Sequence, residues 1–286
     1  MRLLRRWPGR PGAARGQSPS TAGPGPDDRL DALRGGHPAP EPAAGSHPDG
    51  GPDHVPGRTA GRTLLRAQDL SVGYHEHPVC APATFTLASG QALALVGVNG
   101  AGKSTLLRTC LGLLPAVRGQ VELLGSRPDS RSGSQRAQVA VDLGEASFFP
   151  SLSVEEHLRL VCFGHGVPQA EETVRELLVE LDLMPLARAL PDQLSSGQRR
   201  RVSLAAVLLR PRRLLVLDEP EQRLDQLMRL ELAGRLIEEC EGGGAVLMAS
   251  HDPDLVAAAA THVLLVGHNT RLMGVEEGVA AMRQGE

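Results

Sequence analysis

Residues 91–105 read QALALVGVNGAGKST, an apolar run that breaks into a glycine-rich loop and then turns helix-forming. Gln91 to Val96 is read as a buried strand and Lys103 to Leu113 as a helix. Between them, Gly97-Val98-Asn99-Gly100-Ala101-Gly102-Lys103-Ser104 matches GxxxxGK[ST] in strand–loop–helix context. Its glycines let successive backbone N–H groups close on phosphate oxygens, and the helix N-terminus adds a favourable dipole. In such a loop the lysine reaches the β- and γ-phosphates and the following hydroxyl ligates Mg²⁺, which assigns those parts to Lys103 and Ser104. A bare glycine-rich turn would account for the spacing but not for the strand that feeds it or for the lysine.

That lysine is the only one among 30 basic residues; Tyr74 is the only tyrosine and Ile237 the only isoleucine. Loss of these three together has the look of codon bias in a GC-rich genome. A lysine kept against that bias does something arginine cannot: its compact ammonium enters a phosphate cradle that a planar guanidinium does not fit. The net charge of -3 gives no basic field for nucleic acid, and 2% aromatics give little to stack bases on. Cys80, Cys110, Cys162 and Cys240 are widely spaced without a CxxC or Cys/His cluster, which argues against zinc or a disulfide framework and for a reducing cytosol. No apolar run approaches the roughly 20 residues of a membrane span. The opening MRLLRRWPGRPG lacks the apolar stretch of a secretory signal.

Residues 1–62 hold eleven of the 22 prolines, are glycine-dense and show no apolar periodicity. They are read as a disordered tail that cannot bury enough surface to offset its ordering entropy. From residue 63 on, strands are read at Leu64–Tyr74, Ala83–Leu87, Val121–Leu124 and Val139–Leu143, followed by a helical stretch from about Val154 to Ala189. Strand and helix then alternate: helix Gly197–Leu209, strand Leu214–Leu217, helix Leu224–Cys240, strand Ala245–Ala249, helix Pro253–Ala260, strand Val263–Val266. This alternation implies an α/β fold with a parallel sheet, whose ligand sits at the carboxyl ends of the strands.

One such end is Leu214-Leu215-Val216-Leu217-Asp218-Glu219-Pro220, a buried strand that delivers two carboxylates. Asp218 suits the metal shell, directly or through water. Glu219 points elsewhere and can polarise an attacking water, a general-base contribution of about 10²–10⁴ in rate. Without the phosphate loop the pair would read as a strand cap. A third segment, Leu194-Ser195-Ser196-Gly197-Gln198, opens a helix. Alone it reads as an N-cap, although a helix N-terminus is also an anion site.

In order and spacing the phosphate loop, LSSGQ, LLVLDEP and Ser250-His251-Asp252 resemble ATP-binding cassette proteins over residues of about 63 to 270. The resemblance implies a P-loop NTPase (RecA-like) core with a mostly parallel sheet, an antiparallel β subdomain and a helical subdomain at about 150–195, making residues 63–286 one ATP-binding domain. ATP with Mg²⁺ would lie on Asn99, Gly100, Ala101, Gly102, Lys103, Ser104 and Thr105. Tyr74 would stack on the adenine, worth about 1–3 kcal/mol by analogy with single-strand binders. Glu219 and His251 would be catalytic, His251 contacting the γ-phosphate and orienting Glu219. The signature Leu194, Ser195, Ser196, Gly197, Gln198 would meet ATP held by a second ATP-binding subunit, with Asp225 at the interface.

Three positions depart from the family pattern. Ser196 replaces a glycine. Gly144 and Glu145 stand where a metal-touching glutamine is usual, with Glu145 a candidate substitute as metal ligand. Glu221-Gln222-Arg223 occupy a place of small residues. The expected function is an ATPase that powers a separate transmembrane permease subunit, held through it at the cytoplasmic face of a bacterial membrane, with export suggested by the Ser-Ser signature. No nucleic-acid partner is expected. The alternatives are a soluble cassette ATPase and a weakly hydrolysing regulator, the latter raised by the missing glutamine.

Lys103→Arg keeps the charge and loses the fit. ATP turnover of this variant is expected to fall by about 10²–10³-fold, as when one transition-state donor is removed; a steady-state phosphate-release assay with near wild-type turnover would overturn the lysine argument.

Overall fold

The computed structural model describes residues 61–144 and 148–285. The tail reading therefore falls almost wholly outside the described residues. The chain opens with strand β1 (Thr63–Ser71), a short hairpin of β2 (Gly73–Tyr74) and β3 (His77–Pro78), then β4 (Ala83–Ala88) and β5 (Ala92–Val96). Helix α1 (Lys103–Cys110), β6 (Arg118–Leu123), the single turn α2 (Gly133–Arg136) and β7 (Val139–Asp142) follow. Helices α3 (Val154–Gly164), α4 (Ala170–Glu180) and α5 (Ser196–Leu208) run with no strand between them. The remainder alternates as β8 (Leu214–Asp218), α6 (Gln226–Glu241), β9 (Ala245–Ala249), α7 (Pro253–Ala259), β10 (His262–Leu265), β11 (Arg271–Met273) and α8 (Val275–Gln284).

A six-stranded sheet in the order β11-β10-β5-β9-β8-β7 forms the centre; β11 alone is antiparallel to its neighbour. Strands β5, β8 and β9 are buried at every position, the pattern of a parallel sheet covered on both faces. Alternate residues go to opposite sides. Leu93, Leu95, Val216 and Leu247 pack with Leu106 and Leu107 of α1 and with the inward side chains of an antiparallel sheet in the order β4-β1-β6. Ala92, Ala94, Val96, Leu217 and Met248 pack on the other side with Val202 and Ala205 of α5, Leu236 of α6 and Val256 of α7. Leu158, Leu177 and Leu178 of α3 and α4 join this second cluster. Each fully buried leucine contributes about 1.5–3 kcal/mol.

Several boundaries differ from the sequence reading. Helix α1 stops at Cys110, before Leu113, because Gly112 turns left-handed at φ 70° and the Leu113 N–H reaches back to the Arg108 carbonyl at 2.9 Å, a Schellman-like close. The strand expected over Leu64–Tyr74 breaks after Ser71, its register slipping between Ala67 and Leu70 around the left-handed Asp69. The long helical stretch divides into α3 and α4 around Gly166 and Pro168, then ends in two 3₁₀ turns that begin at Met184 and Pro191. Helix α6 begins two residues late, at Gln226, because Asp225 caps it. Both β11 and α8 escaped the reading; α8 comes so close to β10 that a Cβ on Gly278 would lie 2.5 Å from a Val263 methyl.

The turn from β5 into the glycine loop is the tightest point near the site. Gly97 has φ 141°, and a Cβ there would lie 2.3 Å from the Val266 carbonyl oxygen. Gly97→Ala is expected to destabilise the chain by at least about 1–3 kcal/mol, the typical cost of a glycine-only conformation. Urea unfolding with an unchanged midpoint would contradict that packing.

Candidate functional site

The parallel register aligns three strand ends: Leu95 of β5 pairs with Ala249 of β9, and Ala249 pairs with Asp218 of β8. The loop 97–102 leaves β5 at this edge. Val98, Asn99 and Gly100 are exposed, and Thr105 lies buried in the first turn of α1. Lys103 is buried, its Nζ donating to the carbonyls of Gly97 at 2.8 Å and Val98 at 3.0 Å. Burial pushes its pKa down, while Glu219, Asp218 and Glu221 push it back up.

Asp218 is buried, and burial raises its pKa; the Ser104 hydroxyl opposes this by hydrogen bonding and the Glu219 charge adds to it. Asp218 Oδ1 is buried and accepts no hydrogen bond among the described residues. A buried carboxylate oxygen without a donor, next to an exposed hydroxyl at a helix start, fits a hard divalent cation. Among the described residues no three His, Cys, Asp or Glu side chains form a metal cage.

Glu219 lies just past the strand with a left-handed backbone, φ 46°. Its N–H still joins the sheet, donating to the Ala249 carbonyl at 2.9 Å. Its Oε1 lies 3.2 Å from Nε2 of His251, and its Oε2 accepts from the Gln222 amide. Two residues from separate motifs, Glu219 and His251, therefore meet.

The sequence reading missed Asp142 and Arg200. Arg200, in α5, is buried and donates through Nη1 to Asp142 Oδ2 at 2.8 Å. Its Nη2 donates to the carbonyls of Glu219 at 3.0 Å and Asp218 at 3.3 Å. Asp142 also accepts from Ser203 and from the Gly144 N–H. One guanidinium thus ties α5, the end of β7 and the end of β8 together. A signal was present: Arg200 lies on the same helical stripe as Leu204, Val207 and Leu208, which are buried. The run Arg199-Arg200-Arg201 disguised it as surface charge.

The remaining candidates lie around this edge. Leu194 is buried, and Ser195 and Gln198 form a reciprocal capping box on α5. Ser195 and Ser196 are exposed. Gly197 faces the next segment: a Cβ there would lie 2.9 Å from the Arg223 carbonyl oxygen. Arg223 is itself left-handed at φ 62°, a conformation that favours glycine over side-chain-bearing residues. Asp225 Oδ1 accepts from the Met228 N–H at 2.9 Å, the N-cap of α6. Tyr74 is half-exposed in the β2–β3 hairpin; Val79 and Cys80, just after its return strand, lie beside Gly102 of the phosphate loop. The candidate metal ligand Glu145 lies outside the described residues.

The ABC transporter family model matches residues 80–222. The cytochrome c biogenesis ATP-binding export protein CcmA of Xanthomonas axonopodis pv. citri is 39% identical over 190 residues, 66% of this chain and 86% of the relative. The thiamine import ATP-binding protein ThiQ of a Ruegeria species is 33% identical over 212 residues, 71% of this chain and 88% of the relative. A solved ATP-binding subunit of an ABC transporter superposes with TM-score 0.68 at 29% identity, covering 78% of this chain and 93% of that one. The chain belongs to the ABC transporter family, as an ATP-hydrolysing subunit. No helix among the described residues is long and apolar enough to cross a membrane.

The Arg200–Asp142 pair yields a test. Asp142→Val strands a buried guanidinium and is expected to destabilise the chain by about 3–5 kcal/mol, as does Arg200→Leu by stranding the carboxylate, whereas the double variant, Asp142→Val with Arg200→Leu, is expected to recover much of that loss. Chemical unfolding of the two single variants and the double variant measures the cycle; additive losses would show that the pair is not coupled.

Proposed function

We propose that the chain is the ATP-hydrolysing half of a transport machine: it pairs with a second ATP-binding subunit and drives a separate transmembrane permease subunit from the cytoplasmic face of the membrane. The observation that carries this reading is the Glu219 carboxylate held 3.2 Å from the His251 imidazole at the edge occupied by Lys103 and Asp218.

ATP lies with its phosphates on the N–H groups of residues 99–105 and its adenine against Tyr74. Lys103 exchanges its two loop carbonyls for the β- and γ-phosphates. Ser104 and Asp218 would hold Mg²⁺, which supplies charge neutralisation at the phosphates. Glu219 polarises the attacking water, and His251 keeps the carboxylate aimed. Ser195 and Gly197 meet the γ-phosphate of ATP held by the second subunit, with Asp225 shaping the segment at the interface. The paired Glu219 and His251 favour turnover over a silent regulator. Export is the direction we propose, because the 39% identical relative is named an export protein; the 33% identical one is named for import.

Glu219→Gln keeps shape and metal site and loses the base. Hydrolysis is expected to fall by about 10²–10⁴-fold with ATP binding retained. The closed pair should accumulate as a dimer peak in size-exclusion chromatography with ATP and Mg²⁺, and a second change, Ser195→Arg, should abolish it. Turnover that survives, or a dimer indifferent to nucleotide, would refute the assignment.

A further inference from the structure

The link from β8 to α6 reads Glu219-Pro220-Glu221-Gln222-Arg223-Leu224-Asp225. Glu221 is 5% exposed, a depth at which a carboxylate needs hydrogen-bond partners. Its Oε1 accepts two, from the Ser250 hydroxyl at 2.8 Å and from the His251 backbone N–H at 2.7 Å. The Ser250 hydroxyl in turn accepts from the Asp252 N–H at 3.1 Å, and the Ser250 N–H donates to the Leu95 carbonyl at 3.2 Å. Glu221 Oε2 is buried and accepts no hydrogen bond among the described residues.

Glu219 and Glu221 share one tight turn, closed by the Gln222 N–H on the Glu219 carbonyl and the Leu224 N–H on the Glu221 carbonyl, each at 3.2 Å. One carboxylate therefore joins the turn that carries Glu219 to the peptide that carries His251. The imidazole itself is 37% exposed and meets Glu219 across 3.2 Å. Packing restrains such a ring less than the backbone at its root does.

We propose that Glu221 is a positioning residue for ATP hydrolysis: by anchoring the His251 peptide and the Ser250 hydroxyl, it sets the spacing between the His251 imidazole and the Glu219 carboxylate. This rests on the roles given to Glu219 and His251 above. What matters is an acceptor oxygen at one place. The charge plays no part in this anchoring.

Two variants separate acceptor from charge. Glu221→Gln keeps an oxygen at the same reach and loses the charge. Glu221→Asp keeps the charge and withdraws the oxygen by one methylene. On the full chain, Glu221→Gln is expected to hydrolyse ATP at close to the wild-type kcat. Glu221→Asp is expected to lose about 10²-fold in kcat with KM little changed, the scale of a misplaced catalytic group. The second readout needs no nucleotide: the His251 ring resonances, assigned with His251→Ala, should move in Glu221→Asp and stay in place in Glu221→Gln. Wild-type turnover in Glu221→Asp, equal losses in both variants, or displaced His251 resonances in Glu221→Gln would each overturn the proposal. Should wild-type protein prove unable to hydrolyse ATP, the functional reading fails, and the ring resonances still decide whether Glu221 holds His251.

Discussion

Parallel register is the constraint on which the rest depends. Because β5, β9 and β8 run the same way and pair Leu95 with Ala249 and Ala249 with Asp218, each strand releases its chain at the same edge. Three sequence-distant segments become neighbours at no entropic cost beyond that of forming the sheet. The strands are buried on both faces, so a slip of register would drive leucines out of one cluster and into the other. The hydrophobic core thereby fixes the alignment of the polar edge.

The edge itself is strained. Glu219 and Arg223 both adopt left-handed backbones, each costing on the order of 1–3 kcal/mol for a side-chain-bearing residue. Such conformations persist where neighbours over-determine them. Arg200 does so from one side, through the carbonyls of Asp218 and Glu219; Glu221 does so from the other, through the backbone at His251. Asp225 and Asp252 cap the helices that follow, and Arg229 pairs with Asp252 at 2.9 Å. The turn between β8 and α6 is held from several directions at once.

Much of this was legible in the sequence because it is local. GxxxxGK[ST] after an apolar strand, an apolar run ending in Asp-Glu, and alternating strand and helix in the last third each speak within a dozen residues. The β8 and β9 cores match the reading almost residue for residue. What escaped was non-local or depended on single caps. The ion pair of Asp142 and Arg200 spans 58 residues of sequence, and no short pattern announces it. Ser195 illustrates a different limit: it was legible both as a cap and as a nucleotide contact, and the capping hydrogen bonds are compatible with either. Helix ends moved by a few residues wherever a glycine or an aspartate decided the terminus.

The scarcity of lysine has a chemical consequence. The chain carries one ε-amine, and it is buried at the phosphate edge with its pKa lowered by that burial. Acylation, carbamylation or ubiquitin-type conjugation of a lysine in this protein can strike only Lys103, so every lysine modification falls at the start of α1. The same fact makes the protein its own reporter: an amine-reactive label on a side chain marks the phosphate loop, and protection from that label reads out what occupies it.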